Sequence, residues 1–193
     1  LNPFKVSEYS KRMKEYALKE FLEIKQSANP SFSPDGKRIV FSSNRTGTSQ
    51  IYITDKEGGI EEQLTSYEEP VSLIGFSPVK NEIMFGMSRG GDENTQFYLL
   101  NSLTKEIRKI TTNEKVKHGW GGWSFDGKRI TFSSNERNGM DLDVFVIDLE
   151  TAEKELVFSP GGYASSYGFS PSGKWLSAII QKAGSDHDLY VID

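Results

Sequence analysis

The chain has 193 residues, a net charge of −4, 36% hydrophobic and 12% aromatic residues, and no cysteine. That is enough apolar material for a buried core, and no basic block marks a nucleic-acid or anionic-membrane surface. Disulfides are excluded, and no apolar run reaches the ~20 residues of a membrane-spanning helix.

The chain begins at Leu1 rather than Met and shows no signal-peptide pattern. A fragment or processed product is therefore expected, with a cytoplasmic location. Residues 7–26 read SEYSKRMKEYALKEFLEIKQ, where Met13, Ala17, Phe21 and Ile24 recur at helical spacing. Ser7 is placed to cap a helix and Glu8 falls in its first turn. The pattern predicts a short N-terminal helix within a segment 1–28, packed outside the following domain or on a partner. Asn29-Pro30 ends it and starts the first repeat.

Four segments then align: SFSPDGKRIVFSSNR, GFSPVKNEIMFGMSR, GWSFDGKRITFSSNE and GFSPSGKWLSAIIQK. Their anchor serines, Ser33, Ser77, Ser124 and Ser170, recur at intervals of 44, 47 and 46 residues. Each segment leads to a second apolar run: QIYITD, QFYLLN, DVFVID and DLYVID. The first three continue to EEQLT, IRKIT and EKELV. Ser-Pro-Asp-Gly suits a type I turn, and the β-branched and aromatic runs suit strands. The runs are apolar on both faces, so each sheet is expected to be covered on both sides. A period near 45 with four short strands is the signature of a β-propeller. The expected fold is all-β: a propeller over 29–193 of about four blades of four antiparallel strands, part of a larger ring. Repeats fall at 29–65, 70–111, 117–157 and 163–193.

GMSRGG at 86–91 fits the G-x-S-x-G pattern of a serine nucleophile elbow. The repeat places Ser88 where Asn44 and Asn135 stand, at the end of a second strand. An elbow needs a helix immediately after the serine, and DENT followed by the strand FYLL leaves no room for one. A glycine-eased hairpin loop is expected instead. Asp141-Leu-Asp143 and Asp186-His-Asp188 place carboxylates two apart, which suits Ca²⁺ on one strand face. The rest of a Ca²⁺ loop is missing, so solvated hairpin loops are expected. His118 is expected to line the channel as a packed or hydrogen-bonded residue, and His187 to be a loop residue. The sharpest polar feature is RGGDEN: Arg89, Asp92, Glu93 and Asn94 are the candidate substrate-binding residues, with the adjacent carboxylates placed to take an amine or an arginine. A loop at the propeller's mouth is the expected position.

FSPDGKRIVFSSNR looks like the TolB-like propeller repeat. The stretches ALKEFLEIKQSANPSFSPDGKRIVFSSNRTGTSQIYI, RGGDENTQFYLL and HGWGGWSFDGKRITFSSNERNGMDLDVFVIDLET together resemble the N-terminal propeller of the prolyl oligopeptidase family of serine peptidases, in its acylaminoacyl-peptidase and dipeptidyl-peptidase-like branch. The resemblance runs from about Tyr16 to Asp193. It implies a non-catalytic propeller segment that gates peptide access to an α/β-hydrolase domain in cis. No triad residue carries over, and no cofactor or metal is implied. The partners implied are a peptide substrate met through the parent enzyme and that hydrolase domain, with neither nucleic acid nor membrane. The alternative is a self-standing TolB-like propeller acting as a protein-interaction scaffold. An arc of about four blades would leave two uncovered faces, lined by residues such as Ile39, Phe41, Leu189 and Val191, so either self-association of half-propellers or marginal stability of the isolated chain is also expected.

Overall fold

The computed structural model describes residues 16–193. Four antiparallel sheets follow one another along the chain, each running in sequence order from its first strand outward. The first blade holds β1 (Ser27–Phe32), β2 (Arg38–Ser43), β3 (Gln50–Asp55) and β4 (Glu62–Gln63). The second holds β5 (Val71–Phe76), β6 (Glu82–Met87), β7 (Gln96–Asn101) and β8 (Ile107–Lys109). The third holds β9 (His118–Trp123), β10 (Arg129–Ser134), β11 (Asp143–Asp148) and β12 (Lys154–Phe158). The fourth holds β13 (Tyr163–Phe169), β14 (Leu176–Ala183) and β15 (Asp186–Ile192).

The anchor serines act as local staples. Ser33 Oγ accepts the Arg38 amide at 2.9 Å and donates to Asp35 Oδ1 at 2.6 Å. Gly36 closes the turn onto the Ser33 carbonyl at 2.8 Å with φ +68°, where a side chain would be strained. Ser124, Asp126 and Arg129 repeat the arrangement. The serine hydroxyl and the Lys37 amide hold the Asp35 carboxyl below its usual range.

Alternation along the strands gives each blade two apolar faces. Val40, Ile51 and Ile53 of the first blade pack on Ile83, Phe85, Tyr98 and Leu100 of the second. Met84, Phe97 and Leu99 of the second pack on Ile130, Phe132, Phe145 and Ile147 of the third. Val144 and Val146 of the third pack on Leu176, Ala178 and Ile192 of the fourth. We call the face turned to the preceding blade the leading face and the other the trailing face. An arginine also crosses each seam. Arg38 donates to Asn81 Oδ1 at 2.9 Å, Arg108 to the Leu149 carbonyl at 2.8 Å, and Arg129 to the Gly173 carbonyl at 2.9 Å.

Three expectations need correction. The helix expected over 7–26 is, within the described residues, only α1 (Leu18–Leu22), and it buries nothing. Residues 7–15, with Ser7, Glu8 and Met13, lie outside the described residues. Tyr16, Leu18, Phe21, Leu22 and Ile24 are exposed, so no packed face extends the helix, and so short a helix gains little from its own hydrogen bonds. The first strand begins at Ser27, two residues before Asn29-Pro30, with Asn29 at φ +53°.

The second correction concerns the two ends of the arc, which are not alike. Phe41 and Tyr52 on the first leading face are buried, and the Arg45 guanidinium lies over both rings at 5.4 and 4.5 Å. On the fourth trailing face Leu189 and Val191 are 72% and 68% exposed. The third correction is His187, which is a residue of β15 paired with Gln181 rather than of a loop.

Candidate functional site

The β6–β7 loop, residues 88–95, lies at the end of the arc where the inner strands begin, because there the outer strand of each blade crosses to the next inner strand. The two crossings beside it reach the loop directly. From the first, Glu69 Oε1 accepts the Gly90 amide at 2.8 Å. From the second, Glu114 stands 3.8 Å from Arg89 Nη1, and Lys117 pairs with Glu93.

The four candidate residues divide within this loop. Arg89, Asp92 and Asn94 line one hollow of about 90 Å³ with Met87, Gln96, Tyr98 and Glu114. Asp92 accepts the Asn94 amide at 3.0 Å, which shapes the loop tip. Glu93 turns away from the hollow to Lys117, so the adjacent carboxylates do not act as a pair. The hydrogen bond and charge of Lys117 hold the Glu93 carboxyl below its usual range, and those of Glu93 raise the Lys117 ammonium. Glu114 is lowered in the same way, first by Lys109 and then by Arg89. The hollow thus sets the exposed guanidinium of Arg89 beside the carboxylates of Asp92 and Glu114. It offers a polar ligand both a carboxylate partner and amine partners.

Buried polar groups fix the loop from below. Gln96 is 4% exposed, and its amide nitrogen donates to the Asn94 and Asn113 carbonyls at 3.0 Å each. Thr111 Oγ1 donates to Gln96 Oε1 at 3.0 Å and accepts the Phe97 amide at 2.9 Å. In the first blade Gln50 holds the corresponding crossing, donating to the Tyr67 and Glu69 carbonyls, and Thr65 Oγ1 accepts the Ile51 amide. The glutamines opening QIYITD and QFYLLN were the visible sign of this device. Glu69, Glu114 and Lys117 had no sign in any short motif.

Ser88 follows the last residue of β6, and its Oγ lies 2.9 Å from Thr95 Oγ1 across the hairpin. Gly90 and Gly91, at φ +60° and +74°, carry the chain round to β7. A strand, not a helix, follows the serine, so the elbow geometry is missing. His118 is 8% exposed, with Nδ1 3.0 Å from the Thr95 carbonyl, and it packs between Phe97 and Phe132. The expectation of a solvated Asp141–Asp143 loop is wrong for Asp143, which is fully buried. Arg137 compensates its charge through Nε at 2.6 Å and Nη2 at 3.2 Å, and Nη2 also reaches Asp141 at 3.1 Å. Asp188 is partly exposed and pairs with Lys182.

A family model described as TolB beta propeller domain matches residues 14–140. The Tol-Pal system protein TolB of Francisella tularensis subsp. holarctica is 27% identical over 147 residues, which are 76% of this chain and 33% of that protein. The uncharacterized peptidase YuxL of Bacillus subtilis is 29% identical over 174 residues, which are 87% of this chain and 24% of that protein. The chain thus spans a third or less of these relatives. Among solved structures, one from a study of two prolyl endopeptidases superimposes with a TM-score of 0.68 at 17% identity, covering 89% of this chain and 28% of that one. That likeness concerns the fold.

Proposed function

The chain belongs to the TolB beta propeller domain family, and on that footing we propose that it is the non-catalytic propeller part of a serine peptidase. In this reading it shapes and selects the access of peptides to an α/β-hydrolase domain in cis. Similarity to the Bacillus peptidase over 87% of the chain supports the parent activity. The observation that carries the selecting role is the hollow where Arg89 faces Asp92 and Glu114. Opposite charges around a small polar hollow favour a peptide's polar or terminal groups over an apolar ligand.

The test is kinetic, in the peptidase that carries this propeller. Arg89→Ala and Asp92→Asn are expected to change the kcat/KM ratio between peptides with free and blocked amino termini by about threefold or more, the scale of a lost charged hydrogen bond partly exposed to water. The thermal midpoint should stay put, since both side chains are exposed. Ratios unchanged in both variants would remove the hollow from substrate selection. The second reading is a self-standing TolB-like propeller serving as a protein-interaction scaffold, which the similarity to the Francisella TolB favours. Under that reading the isolated chain holds a protein partner without any hydrolase domain attached.

A further inference from the structure

A hollow of about 170 Å³ lies beside the crossing from β8 to β9, against the leading face of the third blade. Ile110, Phe132 and Ile147 make its apolar floor, and His118, Glu136 and Lys154 its polar wall. Thr112 and Ala152 are exposed, so the hollow opens to solvent at that rim. It lies in a seam whose two blades cover one another, and it shares no residue with the hollow at Arg89.

The same place in the first seam is filled by the chain itself. The strand registers put Val71, Phe85 and Leu100 at the positions of His118, Phe132 and Ile147. Tyr67 stands at the position of Asn113, because Gln50 donates to the Tyr67 carbonyl as Gln96 does to the Asn113 carbonyl, each at 3.0 Å. The Tyr67 ring turns inward onto Phe85, with centroids 6.3 Å apart, and packs on the cluster that holds Val71 and Leu100. Asn113 is exposed instead, and its Oδ1 accepts the Lys115 amide at 3.1 Å. The second seam therefore lacks a ring that the first one has, and the hollow over Phe132 corresponds to the space of that ring. A cavity of about 150 Å³ is enough for benzene.

One wall differs in chemistry between the two seams. Val71 is aliphatic, whereas His118 brings a hydrogen-bonding ring. Its Nδ1 donates to the Thr95 carbonyl at 3.0 Å. Burial holds its pKa below the ordinary 6.5, so at about pH 7 the ring is neutral and Nε2 is its acceptor. Nε2 has no hydrogen-bond partner among the described residues. Beside it, the largely buried Glu136 carboxylate is joined to Lys154 at 2.5 Å. An apolar floor with acceptors on one wall suits a flat ring that carries one donor.

We propose that this hollow is a binding site for a phenol ring, which lies on Phe132 as Tyr67 lies on Phe85, with its hydroxyl donating to the His118 and Glu136 wall. The ring comes either from a free phenol or from the tyrosine side chain of a peptide. The inference needs the blade repeat and not the peptidase reading.

Titration of the isotope-labelled chain with p-cresol, read from amide shifts, is the first measurement. Saturation is expected with a Kd of about 1 mM, the scale for so small a ligand, and with the largest shifts at Thr111, Thr112 and Glu136. No saturable shift at these amides overturns the proposal. Toluene should bind at least about threefold more weakly, and equal binding of the two overturns the assignment of a phenol. The second measurement repeats the p-cresol titration on Asn113→Tyr, which gives the second seam the ring that Tyr67 gives the first. Because Asn113 is exposed, the fold should be kept, and p-cresol should bind at least about tenfold more weakly. Unchanged binding in this variant overturns the proposal. N-acetyltyrosinamide separates the two sources: binding within about threefold of p-cresol assigns the site to a peptide's tyrosine, and binding of p-cresol alone assigns it to a free phenol.

Discussion

The seam between the second and third blades and the seam between the third and fourth are built from the same repeat, yet they are filled differently. The first is aromatic: Phe97 meets Trp120 at 5.7 Å and Phe132 at 6.2 Å, with His118 beside them. The second is mainly aliphatic, with small groups at its closest approach. Ala164 and Ala178 are fully buried there, and a Cβ on Gly122 would come within 3.1 Å of Gly168 Cα. The same repeat position is Phe132 in one and Ala178 in the other. A single turn-and-strand pattern therefore builds every blade, while the side-chain volume of the facing rows sets how closely neighbouring blades approach. The repeat specifies the unit and the rows specify the spacing.

Exchanging volumes across this pair is the strongest way to break the comparison. Phe132 is fully buried in the aromatic seam, so Phe132→Ala should cost about 3–5 kcal/mol through lost burial and a residual cavity. The reverse change, Ala178→Phe, should destabilise through overpacking, by about 1–3 kcal/mol. Urea unfolding of both variants checks the pair. A Phe132→Ala loss below about 1 kcal/mol would mean that the seam collapses freely, and that volume does not set the spacing.

A sharper probe is a single methyl group at the arc's inner edge. A Cβ on Gly121 would lie 2.7 Å from the Thr131 carbonyl oxygen and 2.9 Å from Ser166 Cβ. The first is backbone and the second belongs to the fourth blade, so neither yields cheaply. Gly121→Ala should cost about 1–3 kcal/mol, the usual range for a forced shift in a packed interior. Gly139→Ala is the control for an added methyl: its Cβ would meet nothing, although its φ of +78° adds a backbone cost of its own. A thermal midpoint for Gly121→Ala equal to wild type would show that the two inner strands slide apart without penalty.

The blades were legible in the sequence and the seams were not. Ser33, Gly36 and the IVF run act within a dozen residues of each other, so the turn and its strands can be read locally. Phe132 and Ala178 acquire their meaning only from what faces them 30 to 50 residues away in the chain. The same holds at the candidate site. RGGDEN was visible as a polar loop, but its partners Glu69, Glu114 and Lys117 sit on crossings whose position follows from the blade topology. That is why Asp92 and Glu93 read as a pair in sequence and separate in space. Asp143 misled for a related reason: its buried charge is compensated by Arg137, six residues earlier, in a hairpin that looks merely hydrophilic. The N-terminal periodicity misled in the opposite direction, since an apolar stripe at 16–24 needs a surface to pack on and none of its large residues is covered.

The smallest expected effect separates the two seams by pH. His118 opens the third blade's inner strand, and the same repeat position in the fourth blade is Ala164, so only the aromatic seam carries an ionisable ring there. Its Nδ1 donates to the Thr95 carbonyl at 3.0 Å in the neutral form. Burial is the chief reason why its pKa lies below the ordinary 6.5 of a histidine. The Thr95 carbonyl and Glu136 oppose that shift, while Lys154 and Lys109 add to it. The unfolded chain therefore binds the proton more readily than the folded one. The contribution of His118 to stability is complete above pH 6.5 and is lost as the pH falls through the lower folded value. Asp35 and Asp126, held below the ordinary 3.8, do not titrate in that window. Urea midpoints at about pH 7.5 and about pH 5, followed by tryptophan fluorescence because Trp120 lies in this seam, should fall more in the wild type than in His118→Gln. Parallel falls in the two proteins would place the acid sensitivity outside the aromatic seam, and with it any claim that this seam and its small-residue neighbour differ in more than volume.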